Sequence, residues 1–288
     1  MMHLSQYSLH SKNWADLTWS EWVKLDGDNN DYKLIPNTSG VYRVRAIGRE
    51  PLIYIGQTGR NLRERLKALR SGVTALDMPF NDPHTTAPNL WVWQKEANFQ
   101  YECSAASIEL STPNRQALED MLLWLHRVES KRSTLCNYGR FHSRWSKSLN
   151  RKKGVRGKLL IGNNENPNGG YSSPTLTLHG NAIDLDWMGL AWSALKPLEF
   201  DFIDNISHTG GVYRIVDMEK EEIIYIGESY NIRKRLATHC KSIWSVSKPY
   251  FSYAIPMGMD AVHRRHEIEV DLLGAYYHQY GYPPIHQY

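Results

Sequence analysis

The chain has 288 residues, of which 41% are hydrophobic and 22% charged, so it can bury a core and is not an intrinsically disordered protein. Its net charge of +4 permits a nucleic-acid partner without requiring one, and no apolar run approaches the roughly 20 residues of a membrane span. Three widely spaced cysteines argue against a disulfide framework or a zinc site. We therefore expect a protein of the reducing cytoplasm, with no membrane partner.

The first part of the chain predicts an α+β arrangement. Residues 40–46 alternate like a strand, residues 52–56 form an apolar strand, and the turn residues between them predict a hairpin. Leu62, Leu66 and Leu69 share one helical face, and Thr112-Pro113 is a typical helix start. In chain order we predict a short Trp-bearing amphipathic helix, strands at 40–46 and 52–56, a helix at 60–69, a strand at 99–109 and a long helix from Thr112.

A basic segment follows. Residues 138–158 carry eight cations and no acid, so the rest of the chain has a net charge of −4 although the whole chain is +4. Phe141 and Trp145 are interleaved with these cations. Such a run is either a solvated linker or a segment that binds a phosphate backbone, and we favour the second interpretation. The candidate nucleic-acid-binding residues are Arg140, Arg144, Lys147, Arg151, Lys152, Lys153 and Arg156.

The second part of the chain repeats the first. Five motifs recur in the same order, and the two tyrosines of each copy are twelve positions apart. The recurring motifs are Trp-x-x-Leu-x-Trp-Ser, Gly-Val-Tyr-Arg, Tyr-Ile-Gly, Asn-(Leu/Ile)-Arg-x-Arg-Leu and (Leu/Ile)-Glu-x-x-Leu-Leu. We infer a tandem duplication, with a first unit at residues 1–137, a basic linker at 138–170 and a second unit at 171–288.

The repeated pattern from Gly-Val-Tyr to Tyr-Ile-Gly, with its arginine and glutamate helices, resembles the GIY-YIG nuclease family. The resemblance covers most of each half and implies a small three-stranded antiparallel sheet flanked by helices. It further implies cleavage of nucleic-acid phosphodiester bonds with a divalent metal, Mg²⁺ or Mn²⁺.

Carried over by position, the resemblance assigns roles to residues of both halves. The catalytic candidates are Tyr42, Tyr54 and Arg65 in the first half and Tyr213, Tyr225, Arg235 and His239 in the second. The metal ligands are Glu119 and Glu269, and the supporting residues are Gly56, Gly227 and Asn137. The position matching Asn137 in the second half is taken by His286.

Elementary chemistry is consistent with these roles. A tyrosine can orient or deprotonate a water if a neighbouring cation lowers its pKa, and an arginine offers a fork of donors to phosphate oxygens. One glutamate, with waters completing the shell, suits Mg²⁺. The glutamates occupy otherwise apolar helix faces, where a carboxylate is costly unless it is paired or metal-bound.

Ordinary structural interpretations remain open for several candidates. The tyrosines can be half-buried strand residues, and the arginines can belong to solvated helix faces. The second metal ligand can be Glu267 instead of Glu269, and His263 with His266 can bind metal or lie on a helix surface. Each half also departs from the pattern: Leu69 stands where His239 stands, and Glu228 replaces Gln57, an acid that can repel substrate or help hold metal.

The sequence thus predicts a metal-dependent DNA endonuclease of the restriction or defence type, acting as an intramolecular pseudo-dimer on double-stranded DNA. RNA remains open as a substrate, and the chain is expected to be a monomer or a homodimer. The alternative is a nucleic-acid-binding protein in which one or both nuclease units are inactive, and Leu69 and Glu228 motivate it.

Overall fold

The chain divides into two compact units in a computed structural model that describes residues 8–288. The first unit ends at Tyr171 and the second begins at Ser172. The first seven residues of the predicted first unit lie outside the described range. Residues 138–170, expected to form a linker, belong to the first unit.

The first unit is an antiparallel sheet flanked by helices, which confirms the α+β class. Its strand order is β1-β4-β2-β3, so a two-residue edge strand extends the predicted three-stranded sheet. The elements are β1 (Val23–Lys24), β2 (Gly40–Ala46), β3 (Leu52–Thr58), α1 (Leu62–Val73), α2 (Ala87–Ala97), β4 (Tyr101–Ser107) and α3 (Thr112–Ser130). Helix α2 was not among the predicted elements.

The second unit has a sheet of the same order, β5-β8-β6-β7. Its elements are β5 (Lys196–Pro197), α4 (Phe200–Ile203), β6 (Gly211–Asp217), β7 (Glu222–Ser229), α5 (Ile232–His239), β8 (Pro249–Ala254) and α6 (Val262–Tyr280). In this unit, which the structure describes completely, no helix lies between α5 and β8, where the first unit has α2.

The two central hairpins share one register. Tyr42 lies opposite Gly56 and Tyr213 lies opposite Gly227, and each hairpin shifts register two residues after its first tyrosine. Helices α1 and α5 also begin alike, because the Asn61 and Asn231 side chains each accept a hydrogen bond from a backbone amide of the first turn. The matching motifs therefore occupy matching places, although a duplication as their origin stays a prediction.

The repeated tryptophan motif is a 3₁₀ turn rather than the predicted amphipathic helix. Ala15 and Met188, inside the two turns, have φ near +55°, which breaks helical geometry. The motif instead covers a buried arginine of the central strand. The Arg43 guanidinium lies 4.2 Å from the Trp19 ring, and that of Arg214 lies 4.3 Å from the Trp192 ring. Backbone carbonyl oxygens accept the guanidinium hydrogen bonds in both units.

The basic segment folds back on the first unit instead of forming a solvated linker. Backbone hydrogen bonds join Ser146 to Lys158 and Leu149 to Val155, and Phe141 is buried beside Trp91 and α2. Helix α2 and the basic segment thus form an addition that the second unit does not have.

Candidate active sites

Each unit brings its two motif tyrosines together on neighbouring strands. The ring centroids are 5.9 Å apart for Tyr42 and Tyr54, and 6.0 Å apart for Tyr213 and Tyr225. The glycine of the second motif makes this packing possible. A Cβ on Gly56 would lie 2.7 Å from Tyr42 Cζ and 2.8 Å from Tyr54 Cε1, closer than any side chain tolerates.

Gly227 has the same surroundings. A Cβ there would lie 2.6 Å from Tyr213 Cζ and 2.8 Å from Tyr225 Cε1. The two glycines are therefore sites of close ring packing, and this gives the supporting residues of the sequence pattern a physical reason.

A histidine contacts the first tyrosine in both units. Tyr213 Oη lies 2.9 Å from His239 Nε2, and Tyr42 Oη lies 2.8 Å from His84 Nε2. The expectation that the first unit lacks this histidine, because Leu69 occupies the matching position, is wrong. His84 reaches the same atom from the segment between α1 and α2. It is the only histidine between Leu62 and Glu109, and that isolation was the one available sequence signal.

The motif arginines approach the same tyrosines. Arg235 Nε donates to Tyr213 Oη over 3.1 Å. Since an arginine can only donate, Tyr213 Oη accepts there and directs its own hydrogen towards His239 Nε2. In the first unit, Arg65 Nη1 donates to the Pro83 carbonyl over 2.7 Å, directly before His84, and its charge acts on both Tyr42 and His84.

Burial sets the protonation of these groups. Burial raises the pKa of Tyr42 to about 12, against the opposing charge of Arg65, and it also raises the pKa of Tyr213. Burial and then the nearby arginine lower the pKa of His84 to about 3 and that of His239 to about 4. The expected lowering of the tyrosine pKa by a cation is therefore not found. At neutral pH each site holds a neutral tyrosine beside a neutral histidine.

One glutamate of the long helix faces each site. Burial, followed by the charge of Asp120, raises the pKa of Glu119 to about 8, with Arg65 opposing. Glu269 Oε1 accepts a hydrogen bond from the Glu228 amide over 3.2 Å, which fixes the carboxylate beside β7. Glu267 is fully buried elsewhere, and its Oε2 accepts from the Ser173 amide over 2.6 Å. That contact favours Glu269 over Glu267 as the site carboxylate.

These carboxylates fit a hard divalent cation. A single glutamate per unit, with water completing the shell, matches the way in which proteins hold Mg²⁺. Between residues 8 and 288, no three His, Cys, Asp or Glu side chains form a ready-made cage for a metal ion. His263 is buried, and His266 lies 3.5 Å from Glu228.

The residue after each Tyr-Ile-Gly motif pairs with an arginine of the long helix. Arg115 Nε donates to Gln57 Oε1 over 2.8 Å, and Arg265 Nε lies 2.5 Å from Glu228 Oε2. The pKa of Glu228 is lowered because hydrogen bonds from His266 and Arg265 outweigh its burial. Glu228 is thus a neutralised structural acid.

Asn137 clamps the strand that carries Tyr54. Its Oδ1 accepts from the Ile55 amide over 3.0 Å and its Nδ2 donates to the Ile55 carbonyl over 2.8 Å. In the second unit Gln287 Oε1 accepts from the Ile226 amide over 2.9 Å. The match to His286 is therefore wrong by one position. The His286 amide bonds the Ile224 carbonyl instead, as the Cys136 amide bonds that of Ile53.

The basic segment divides into cations held by the fold and cations near the site. Arg144 pairs with Glu96 over 3.2 Å, Arg156 packs on the Phe80 ring and bonds the Met78 carbonyl, and the Arg151 amide bonds Asp82. Arg140 and Lys147 line a cavity beside Tyr54. Lys152 and Lys153 lie exposed in a 3₁₀ turn.

Comparison with known families identifies part of the chain. The family model of the GIY-YIG catalytic domain matches residues 209–263, a stretch that contains Tyr213, Tyr225, Arg235 and His239. The second unit therefore carries a GIY-YIG catalytic domain, which confirms the family resemblance and indicates a nuclease. Glu269 and the whole first unit lie outside the matched residues.

Two further comparisons add little. No curated protein and no solved structure matches this chain. Within residues 8–288, no helix is both long and apolar enough to cross a membrane.

Proposed function

We propose that the protein is a metal-dependent endonuclease that hydrolyses phosphodiester bonds of double-stranded DNA, with one active site in each unit. The observation that carries this proposal is the tyrosine–histidine contact, which recurs at 2.8 and 2.9 Å although the two histidines come from different chain positions. Packing alone gives no reason to supply the same chemical group twice by different routes.

The chemistry assigned to each site is a proton relay. A water beside the tyrosine hydroxyl attacks the phosphorus, the tyrosine takes the water's proton, and its own hydrogen passes to the neutral histidine. Arg65 or Arg235 donates hydrogen bonds to the phosphate oxygens, where negative charge increases in the transition state.

Glu119 and Glu269 are the residues that would hold Mg²⁺ or Mn²⁺. When bound, such an ion stabilises negative charge on the phosphate and on the leaving oxygen. The raised pKa of Glu119 means that cation binding must displace a proton at neutral pH, so metal affinity in the first unit is expected to rise with pH up to about 8.

Two sites in one chain suit the cutting of both strands of a duplex. A restriction or defence role follows naturally from such an arrangement, in which a monomer cuts without a second copy. The three cysteines are all free thiols, which supports a location in the reducing cytoplasm.

The alternative, a binding protein that has lost cleavage, has lost its two motives. His84 takes the place of the missing histidine, and Arg265 neutralises Glu228. We therefore retain it only as an outcome of the cleavage test.

The test compares supercoiled plasmid cleavage with Mg²⁺ by wild type, Glu119→Ala, Glu269→Ala and the double variant. We expect linear product from wild type, nicked circles from each single variant and no product from the double variant. Linearisation by a single variant would contradict two strand-specific sites. Cleavage of RNA in place of DNA would change the substrate, and no cleavage of either by wild type would favour the binding protein.

A further inference from the structure

A small cavity lies beside Tyr54 in the first unit. Its volume is about 180 Å³, below the roughly 300–1,000 Å³ of sites for drug-sized ligands. Its walls come from β3, from α2 and the two residues before it, and from the start of the basic segment. The lining side chains used below are Tyr54, Asn89, Arg140, Phe141 and Lys147.

Asn89 brings an unused acceptor to this cavity. The side chain is 3% exposed, and its Nδ2 donates to the carbonyls of Leu135 and Arg140, each over 3.0 Å. These two bonds fix the amide orientation, and Oδ1 is left without a hydrogen-bond partner. A buried acceptor without a partner is costly, so an occupant with a hydrogen-bond donor would be stabilised here.

Arg140 and Lys147 bring donors to the same cavity, because both side chains can only donate. An occupant must therefore present an acceptor to these cations and a donor to Asn89. A phosphate offers acceptors alone and leaves Asn89 unsatisfied. The edge of a nucleobase offers donor and acceptor side by side. In a duplex the pairing edge is already used, so the base must be unpaired.

The aromatic rings of Tyr54 and Phe141 also line the cavity, which suits a flat base. The second unit has no equivalent, since it has neither a helix between α5 and β8 nor a basic segment. This cavity therefore distinguishes the first unit from the second.

We propose that this cavity holds one unpaired base of a nucleic-acid strand, with Asn89 Oδ1 as acceptor and Lys147 and Arg140 as donors. The proposal rests on the proposed function, because it makes the first unit the one that grips the substrate strand next to the candidate catalytic Tyr54.

The experiment measures binding without cleavage. A fluorescently labelled single-stranded pentanucleotide and a pentamer of the same charge with all bases removed are titrated with full-length protein in EDTA, across a range of salt concentrations. Wild type is expected to bind the pentanucleotide at least about tenfold more tightly than the abasic pentamer. Equal affinities, or no binding of the pentanucleotide, would overturn the proposal.

Lys147→Ala separates base contact from phosphate contact. Removing a phosphate contact on single strands lowers the salt slope by about 0.7, whereas losing a base contact lowers affinity at constant slope. We expect Lys147→Ala to lose most of the preference for the pentanucleotide with the slope unchanged. A reduced slope with the preference intact would mean that Lys147 contacts phosphate, and the base assignment would fail.

Lys152→Ala is the matched control, since it removes an exposed cation of the same segment outside the cavity. It should leave the preference for the pentanucleotide unchanged. Asn89→Leu tests the acceptor directly, with thermal unfolding as a folding check because two backbone hydrogen bonds are lost. Absence of cleavage with the base preference intact would overturn the nuclease proposal and leave this one standing.

Discussion

The two units reach the same tyrosine environment by different routes. In the second, His239 comes from the last turn of α5, one helical turn after Arg235, so arginine and histidine share one short helix. In the first, Leu69 fills that position as a core residue, and His84 reaches Tyr42 from the segment that leads into α2. A site is therefore better defined by the atoms that meet than by the spacing of the residues that supply them.

The largest expected effect comes from removing either histidine. We expect His84→Ala to abolish the activity of the first unit as fully as His239→Ala abolishes that of the second, each by about 10²–10⁴-fold. Plasmid nicking and linearisation rates with Mg²⁺ measure this, and His179→Ala, an exposed histidine paired with Asp186, is the control. If only His239→Ala has an effect, the two routes are not functionally equivalent.

A second comparison concerns Gln57 and Glu228, which occupy matching positions against Arg115 and Arg265. Glu228→Ala leaves Arg265 buried without its partner and is expected to cost about 3–5 kcal/mol. Glu228→Gln recreates the pair of the first unit and should cost about 1 kcal/mol. Denaturant unfolding of the full chain measures both, and equal losses would show that the charge of Glu228, not its hydrogen bond, stabilises the unit.

The glycines allow a smaller and more local disturbance. Gly56→Ala and Gly227→Ala each push a methyl group against both rings of a tyrosine pair, an overpacking worth about 1–3 kcal/mol. We expect lower thermal midpoints and reduced cleavage by the altered unit. Gly154→Ala is the control for the folding reagent, because its Cβ meets nothing within 4 Å, although its positive φ adds some strain. Full activity in Gly56→Ala would mean that close packing of the tyrosines is not needed.

Sequence reasoning recovered what is local and missed what depends on long-range packing. The Tyr42–Gly56 hairpin follows from alternation and spacing alone, and so does its twin. His84 could not be placed, because its contact with Tyr42 depends on the path of the chain between α1 and α2, which has no repeated pattern. The basic segment misled for a related reason, since charge predicts exposure while Arg144 and Arg156 find partners on α2 and on the loop before it.

Asn137 and Gln287 illustrate the limit in its smallest form. Their matching was wrong by one residue because side-chain length compensates for a shift along the chain, and only the bonds to Ile55 and Ile226 reveal the correct pair.

The smallest expected effect is a pH dependence of stability. Burial lowers the pKa of His84 to about 3 and that of His239 to about 4, below the unfolded value of about 6.5, so the unfolded chain binds more protons at acidic pH. Stability is therefore complete above pH 6.5. It falls as pH drops towards 4, by at most about 1.4 kcal/mol per pH unit for each histidine.

Denaturant unfolding at pH 7, 6 and 5 measures this loss. The difference between wild type and His239→Gln isolates one histidine from the carboxylates that titrate in the same range. Since His239 and His84 are shifted in the same direction, His84→Gln should flatten the curve at least as much. A wild-type curve that keeps its full slope in both variants would mean that neither imidazole is held neutral, and the proton relay would lose its acceptor in both units.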